Sequence, residues 1–99
     1  METILYCHKW KGIFISFFGH PSLVKMCGAK DDDILKVKVK EYKGKNPEYW
    51  AWWNNKEKEF QNVWPSKGQV EMCFPYGTKL PVERGEGKIC TVEIEILPT

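Results

Sequence analysis

The chain of 99 residues has little alanine, a single arginine, two histidines and no long apolar run. Alanine occurs only at Ala29 and Ala51, whereas aromatic residues make up 14% of the chain, and this balance favours strands over helices. The apolar stretch around residues 13–18 is far too short to cross a bilayer. The first residues also lack the basic start and apolar run of a signal peptide. We therefore expect a cytoplasmic protein with no membrane segment.

Neither sign of charge is in large excess. Lys plus Arg number 15 and Asp plus Glu 13, which gives a net charge of +2. This balance excludes a strongly basic nucleic-acid binder and an acidic mimic of DNA. The apolar fraction of 42% excludes a disordered chain, and the length suits one domain over residues 1–99. Many lysines and few alanines also suit an AT-rich genome such as that of many bacteriophages, for which the host cytoplasm is expected.

The four cysteines follow no metal or redox spacing: Cys7, Cys27, Cys73 and Cys90. Neither His8 nor His20 lies at a zinc-finger distance from them, so no metal site and no cofactor is predicted. In a cytoplasmic protein we expect free thiols. A zinc site or a cysteine-based enzyme is the least favoured alternative. No hydrolase, metalloprotease or paired-carboxylate motif occurs, and the overall expectation is that the protein is not an enzyme.

Alternation of apolar and polar residues predicts the strands. Residues 3–10 and 12–18 are two apolar runs around Lys11-Gly12, which is typical of a hairpin. Residues 35–40 alternate strictly and place three lysines on one face, and residues 90–96 place glutamates outward and Cys90, Val92, Ile94 and Ile96 inward. If these two strands are antiparallel neighbours, the lysine and glutamate rows pair. If they are not, the lysine row is a basic strip for phosphate.

The remaining segments are less regular. A short helix is predicted near residues 21–27, because Pro21 suits its first turn and Gly28 its end. Residues 46–64 fit either a helix or a hairpin, and the hairpin is preferred, with its turn at residues 54–58 and asparagines tolerating positive φ. Residues 69–74 are predicted as a strand that places Val70, Met72 and Phe74 on one face, and residues 75–88 as loop.

These elements predict an α+β protein that is mainly antiparallel β. We expect one small curled sheet or barrel with a single short helix near residues 21–27. No internal repeat, low-complexity segment or interdomain linker is visible in the sequence.

The first candidate binding feature is a cluster of tryptophans: Trp50, Trp52, Trp53 and Trp64. Side chains alternate along a strand, so Trp50 and Trp52 share one face while Trp53 takes the other with Tyr49. A small sheet has little room to bury both groups, and an exposed group could stack on a base or anchor a protein partner. The open alternative is that both groups are buried, one under a helix and one inside a barrel.

The second candidate feature is a pair of glycine-rich basic loops, residues 76–79 and 84–88. Their backbone N–H groups could converge on an anion, with charge or contact supplied by Tyr76, Lys79, Arg84 and Lys88. The spacing matches neither a Walker motif nor a dinucleotide fingerprint. The alternative is that the glycines simply turn the chain.

Together these features favour a small non-enzymatic binding domain. Its expected partner is a nucleotide, a single-stranded nucleic acid or a protein, for example a host defence factor if the chain is phage-encoded. A homo-oligomer with a buried aromatic self-interface is the alternative of a different class.

Overall fold

The computed structural model describes residues 1–98. Over these residues it contains six strands, three short helices and a 3-10 turn at Asp31–Asp33. The strands are β1 (Glu2–Trp10), β2 (Ile13–Phe18), β3 (Leu35–Glu41), β4 (Tyr49–Asn54), β5 (Glu59–Trp64) and β6 (Gly87–Ile96). The helices are α1 (Pro21–Met26), α2 (Lys67–Met72) and α3 (Lys79–Glu83). In this part of the chain no helix is long and apolar enough to cross a membrane.

The six strands form one antiparallel sheet in the order β2-β1-β3-β6-β4-β5, curled into a nearly closed barrel. The edge strands β2 and β5 face each other across the opening, which we call the seam. Their Cα atoms approach within 8 Å, but β2 pairs only with β1, and β5 only with β4, in the described chain. The predicted class, mainly antiparallel β in a curled sheet or barrel with a helix near residues 21–27, is confirmed.

The two charged strands are neighbours at the centre of the sheet. β3 pairs with β6 so that Lys38 lies opposite Glu95 and Lys40 opposite Glu93. The Lys40 Nζ lies 3.3 Å from a Glu93 carboxylate oxygen, and the Lys38 Nζ lies 3.9 Å from one of Glu95. The alternating prediction for both strands is confirmed, except that Ile96, predicted to face inward, is 49% exposed. Two of the three lysines are therefore matched by carboxylates, and because the two strands are neighbours the row is not the free basic strip of the alternative.

Residues 49–64 form the preferred hairpin, and the helical alternative is wrong. The Asn54 carboxamide oxygen accepts hydrogen bonds from the backbone N–H groups of Lys56 and Glu57, both at 2.9 Å. In the predicted turn the positive φ belongs to Lys58, at 56°, instead of to an asparagine. The asparagine thus shapes this turn through its side chain, by the hydrogen bonds typical of an Asx turn.

The predicted strand at residues 69–74 is wrong, because helix α2 occupies most of it. Ser66 caps this helix: its hydroxyl accepts from the Gln69 N–H at 3.3 Å and donates to the Gln69 side chain at 2.8 Å. Ser-x-x-Gln is the sequence of a capping box, although here the Gln69 side chain accepts from the Ser66 hydroxyl. This helix signal outweighs the alternation of apolar residues. Only Val70 of the supposed apolar face is fully buried, and Met72 is 83% exposed.

The predicted loop at residues 75–88 also contains regular structure. Helix α3 lies within it, and β6 already begins at Gly87. Gly87 is buried, and a Cβ there would lie 2.2 Å from the Trp53 carbonyl oxygen and 2.6 Å from the Trp52 ring. Glycine at this position lets two strands approach closely. In the sequence, such a glycine cannot be distinguished from one that marks a turn.

No repeat is visible in the sequence, but the structure repeats one order of elements. β1, β2, α1 and β3 form a ββαβ half, and β4, β5, α2 and β6 form a second half with the same order. The sheet order is symmetric about the central β3–β6 pair, so the halves are related by an approximate two-fold axis. Four equivalent positions at one constant spacing carry identical residues: Phe14 and Phe60, Val24 and Val70, Met26 and Met72, and Cys27 and Cys73.

The main core fills the barrel and takes residues from both halves. Its fully or nearly fully buried members are Leu5, Cys7, Val37, Val39, Tyr49, Ala51, Trp53, Phe60, Val63, Cys90 and Val92. Helices α1 and α2 cover the outer face of the sheet, and each buries one central valine, Val24 and Val70. Neither half can cover its inner sheet face without the other, because the core lies between them.

Candidate functional site

The seam stays open because both edge strands are bulged. β2 carries an extra residue opposite the Tyr6–His8 part of β1, and β5 carries one opposite the Trp50–Trp52 part of β4. At these bulges Ser16 has a φ of 57° and Asn62 a φ of 54°. A left-handed residue bends a strand and interrupts its ladder. The two bulges occupy equivalent positions in the two halves, so both sides of the seam are shaped alike.

Two side chains satisfy backbone groups of the edge strands. The Phe14 N–H of β2 donates to the Tyr49 hydroxyl at 3.0 Å, and the Phe60 N–H of β5 donates to the Thr3 hydroxyl at 2.8 Å. Tyr49 belongs to β4 and Thr3 to β1, so both bonds cross the barrel. These contacts take the place of strand pairing at the seam and protect the edges from other strands.

A cavity of about 560 Å³ opens along the seam, and we call it the seam cleft. Its lining is mainly apolar, with three uncharged polar side chains: Trp10, Ile13, Ile15, Ser16, Phe17, Phe18, Cys27, Asn62, Val63, Trp64, Pro65 and Gln69. Its volume and lining are typical of ligand pockets.

The rim of the seam cleft is apolar, and two lysines, Lys9 and Lys11, flank Trp10 in the chain without lining the cleft. Trp10 is 57% exposed and Ile13 40% exposed, and the two face each other at the end of the β1–β2 hairpin. The Lys11 Nζ lies 4.6 Å from the centre of the Trp10 ring, and the Lys9 Nζ lies 4.8 Å from that of Phe14. Within residues 1–98 neither lysine has a carboxylate within 4.0 Å, so both charges remain available to a partner.

The predicted tryptophans are divided between the two faces of the β4–β5 hairpin, as expected. Trp53 points into the barrel and packs edge-on against Phe60, with ring centres 4.9 Å apart. Trp52 lies on the outer face, 3% exposed, with its ring centre 4.6 Å from that of Phe74. Trp52 and Trp53 therefore follow the alternative in which both groups are buried.

The other predicted tryptophans remain partly accessible. Trp50 is half-buried on the outer face, and Trp64 is half-buried in the wall of the seam cleft. The most exposed tryptophan is Trp10, which was not among the predicted site residues. Its position next to the tight turn at Lys11-Gly12 was the available signal, since a hairpin end has few neighbours to cover a large side chain.

A second cavity, of about 620 Å³, lies on the outer face of the second half. We call it the amide cleft because four of its lining residues are carboxamides: Asn54, Asn55, Gln61 and Asn62. Trp52, Phe74 and Pro81 form its apolar walls, and Lys56, Gly85 and Glu86 complete the lining. Of its lining residues only Trp52 was predicted from the sequence, because the cleft joins strand residues to a turn and a loop that are distant in the chain.

The predicted residues of the basic loops line neither of the two clefts. Tyr76 is 98% exposed, and Tyr76, Lys79 and Arg84 line neither the seam cleft nor the amide cleft. The Arg84 guanidinium lies 3.9 Å from the Glu86 carboxylate, and Lys88 lies at the start of β6. Gly77 and Gly85 have φ values of 80° and 72° and each ends a turn, which agrees with the chain-turning alternative.

The four cysteines are free thiols. Cys7 and Cys90 are buried, and burial raises the pKa of Cys7 to about 12 and also raises that of Cys90. Cys27 and Cys73 are exposed at the C-terminal caps of α1 and α2. Over residues 1–98 no group of three or more His, Cys, Asp or Glu side chains is placed to hold a metal ion.

The two clefts have larger volumes than the two other cavities described, which are of about 400 and 200 Å³. They differ in chemistry, since the seam cleft is mainly apolar, whereas the amide cleft combines apolar walls with four carboxamides and one charge of each sign. Comparisons of the chain with protein-family models, curated proteins and solved structures found no match.

Proposed function

We propose that this protein is a small non-enzymatic binding domain that recognises a protein partner through the seam cleft. The observation that carries the proposal is the apolar cavity between β2 and β5, with Trp64 in its wall and Trp10 exposed at its rim. Aromatic residues around a concave apolar surface are the usual anchors of protein interfaces. The partner inserts an aromatic or aliphatic side chain into the cleft.

The residues near the rim of the seam cleft indicate which residues flank that side chain in the partner. Lys9 and Lys11 have no carboxylate partner within residues 1–98. Lys11 lies over Trp10, which lines the cleft, and Lys9 is the neighbour of Trp10 in the chain. A partner with Asp or Glu next to its apolar anchor would pair with them. The exposed surfaces of Trp10 and Ile13 extend beyond the cavity, so a protein segment covers this rim more completely than a small molecule does.

The charge arrangement favours protein over nucleic acid. Lys38 and Lys40 are matched by glutamates, and the predicted phosphate contacts at Lys79, Arg84 and Lys88 lie outside the seam cleft. Binding to nucleic acid depends on lysines and arginines that follow the phosphate backbone. A nucleotide or single-stranded nucleic acid as partner is therefore kept as an outcome of the test.

The proposal places the domain in a cytoplasm, where exposed thiols such as Cys27 and Cys73 stay reduced. For a phage-encoded chain this is the host cytoplasm, and a host protein such as a defence factor is the partner. A second copy of the chain is the competing occupant of the cleft.

The test is selection of short random peptides displayed on phage particles against the whole protein. We expect enriched peptides to share one aromatic or aliphatic anchor flanked by Asp or Glu. Synthetic copies should lose about tenfold or more in affinity for Trp10→Ser, because this variant removes a largely exposed contact at little cost to folding. The Tyr76→Ser variant, which changes an exposed aromatic residue outside the cleft, is the matched control and should bind normally.

Other results would overturn the proposal. One is peptide binding that Trp10→Ser leaves unchanged. A second is salt-sensitive binding of oligonucleotides that is lost in a Lys79→Ala, Arg84→Ala, Lys88→Ala triple variant, which would favour the basic loops. A third is a stable dimer in sedimentation that Trp10→Ser converts to monomer, which would assign the cleft to a second copy.

A further inference from the structure

The two halves of the chain differ in length at two places. The β1–β2 turn is Lys11-Gly12, whereas the β4–β5 turn spans residues 55–58. Residues 27–34 connect α1 to β3, whereas the longer connection from α2 to β6 spans residues 73–86 and contains α3. The first half forms its two strands, helix and third strand without these additions. The additional residues of the second half are therefore not required by the ββαβ arrangement.

The two additional segments meet each other. The Asn55 backbone N–H donates to the Glu86 carbonyl oxygen at 2.9 Å, and the Asn55 side-chain N–H donates to the Gly85 carbonyl oxygen at 2.8 Å. Asn55 belongs to the longer turn, and Gly85 and Glu86 belong to the longer connection. These bonds hold the segments together at the rim of the amide cleft, where all three residues line the wall.

The strands beneath the amide cleft also differ from the equivalent strands of the first half. Asn54 and Gln61 of the amide cleft correspond to Trp10 and Ile15 of the first half, as the matching registers of the two hairpins show. The same fold therefore carries apolar residues at these positions in one half and carboxamides in the other. Asn54 shapes the turn and Asn55 joins the two additional segments, but no hydrogen bond within the described chain gives the Asn62 side chain a structural role.

The cleft has hydrogen-bonding groups that remain free. The Asn62 side chain makes no hydrogen bond to another residue of the described chain, and the Asn55 carboxamide oxygen accepts none there. Asn54 and Gln61 each use one of two side-chain N–H groups, on Gln61 and Glu59 respectively. Free donors and acceptors thus occur side by side on one concave surface.

The other lining residues of the amide cleft indicate the chemistry of the ligand that it favours. The Phe74 ring and Pro81 are half-buried and offer apolar contact, and Lys56 and Glu86 carry opposite charges, so the lining is neutral overall. Carboxamides form paired hydrogen bonds with the edges of heterocyclic bases, and aromatic side chains stack on their faces. A lining without excess positive charge does not favour a polyphosphate.

We propose that the amide cleft is a second binding site, for a neutral planar heterocycle that carries donors and acceptors on its edge, the chemistry of a nucleobase. Asn62, Gln61 and Asn55 recognise the edge, and Phe74 contacts the face. The volume of about 620 Å³ accommodates a nucleoside. The site is separate from the seam cleft in chemistry, and only Asn62 lines both.

The experiment is NMR titration of the uniformly ¹⁵N-labelled protein with adenosine, guanosine, cytidine and uridine, one at a time. We expect at least one nucleoside to shift the side-chain amide signals of Asn55, Gln61 and Asn62 and the indole signal of Trp52, with a dissociation constant of about 1 mM or tighter. The indole signals of Trp10 and Trp64 report on the seam cleft and should not move. Failure of this proposal is thus distinguishable from failure of the proposed function.

Two variants separate the cleft from the rest of the surface. Gln61→Ile installs the side chain found at the equivalent position of the first half and should weaken nucleoside binding at least tenfold. Asn46→Ala removes an exposed carboxamide outside the amide cleft and should leave binding unchanged. The proposal is overturned if no nucleoside shifts these signals, if glucose shifts them equally, or if Gln61→Ile binds like the unaltered protein.

Discussion

Cys7 is a thiol whose surroundings favour its neutral form. Its side chain is fully buried in the barrel, and burial raises its pKa from 9.0 to about 12, while the nearby Lys9 charge lowers it by a smaller amount. A thiolate is the reactive form of cysteine, so a thiol in this position is inert at neutral pH. Cys7 therefore serves the core as a small apolar residue, and so does Cys90.

The shifted pKa of Cys7 predicts how stability depends on pH. The unfolded chain ionises this thiol above its ordinary pKa of 9.0, whereas the folded protein keeps it protonated up to about 12. Its contribution to stability is present in full below pH 9 and is lost as the pH rises from 9 towards 12. We expect the free energy of unfolding, measured in urea at several pH values, to fall less steeply over this range in Cys7→Ala than in the unaltered protein.

The matched control is Cys27→Ala, which removes an exposed thiol. This variant should keep the pH dependence of the unaltered protein. If Cys7→Ala also keeps it, the fall at high pH comes from other groups, such as the Cys90 thiol, and burial of the Cys7 thiol does not affect stability in the expected way.

At the scale of elements, local pattern predicted strands better than helices. The strict alternation in β3 identified a strand with its buried face, because Val37 and Val39 are fully enclosed and the alternating lysines are not. The same criterion failed for α2, a helix of six residues with one fully buried side chain, Val70. So short a helix leaves almost no helical periodicity, and its capping box at Ser66 was the only strong local signal.

The two clefts were not predictable from local patterns for a different reason. The seam cleft needs strands β2 and β5, which are far apart in sequence, to face each other. The amide cleft needs the turn after β4 to meet residues 85 and 86. Trp64 was identified from the sequence as a member of a cluster of tryptophans. Gln61 and Asn62 can be recognised as site residues only in the folded chain.

Tyr49 connects two elements across the barrel, and its hydroxyl can be tested separately from its ring. The Tyr49→Phe variant leaves the Phe14 N–H without its 3.0 Å acceptor, and the ring contacts with Phe14 and Phe17 remain. Loss of a partner for a partly buried donor destabilises a protein by roughly 1–3 kcal/mol. We expect a loss of this size in urea unfolding, together with faster hydrogen exchange at the Phe14 amide.

Tyr76→Phe provides the control for this comparison, because the Tyr76 side chain is almost completely exposed. Its stability should stay within about 0.5 kcal/mol of that of the unaltered protein. Unchanged exchange of the Phe14 amide in Tyr49→Phe would mean that the cross-barrel hydrogen bond does not hold β2 against the rest of the sheet.

At the scale of the whole molecule, the fold is a pair of similar halves that depend on one another. The central β3–β6 pair joins them, and its lysines and glutamates face solvent as opposite charges. Exposed ion pairs of this kind contribute only some tenths of a kcal/mol each to stability. Their main effect is therefore on the register between β3 and β6. The apolar core between the halves supplies the larger stabilisation.

This dependence predicts that the chain can be divided between its halves. The connection from β3 to β4 spans residues 42–48, and Lys45 and Asn46 within it are exposed. We expect fragments 1–45 and 46–99 to be unfolded separately, since each exposes its inner sheet face, and to form a folded one-to-one complex when mixed. Circular dichroism and sedimentation of the fragments and of their mixture measure this directly.

Val39→Asp in the first fragment should prevent assembly, because Val39 is fully buried, whereas Lys45→Asp should permit it. Cooperative unfolding of either fragment alone would show that one half covers its own core, and the two-fold arrangement would then not be what holds the molecule together.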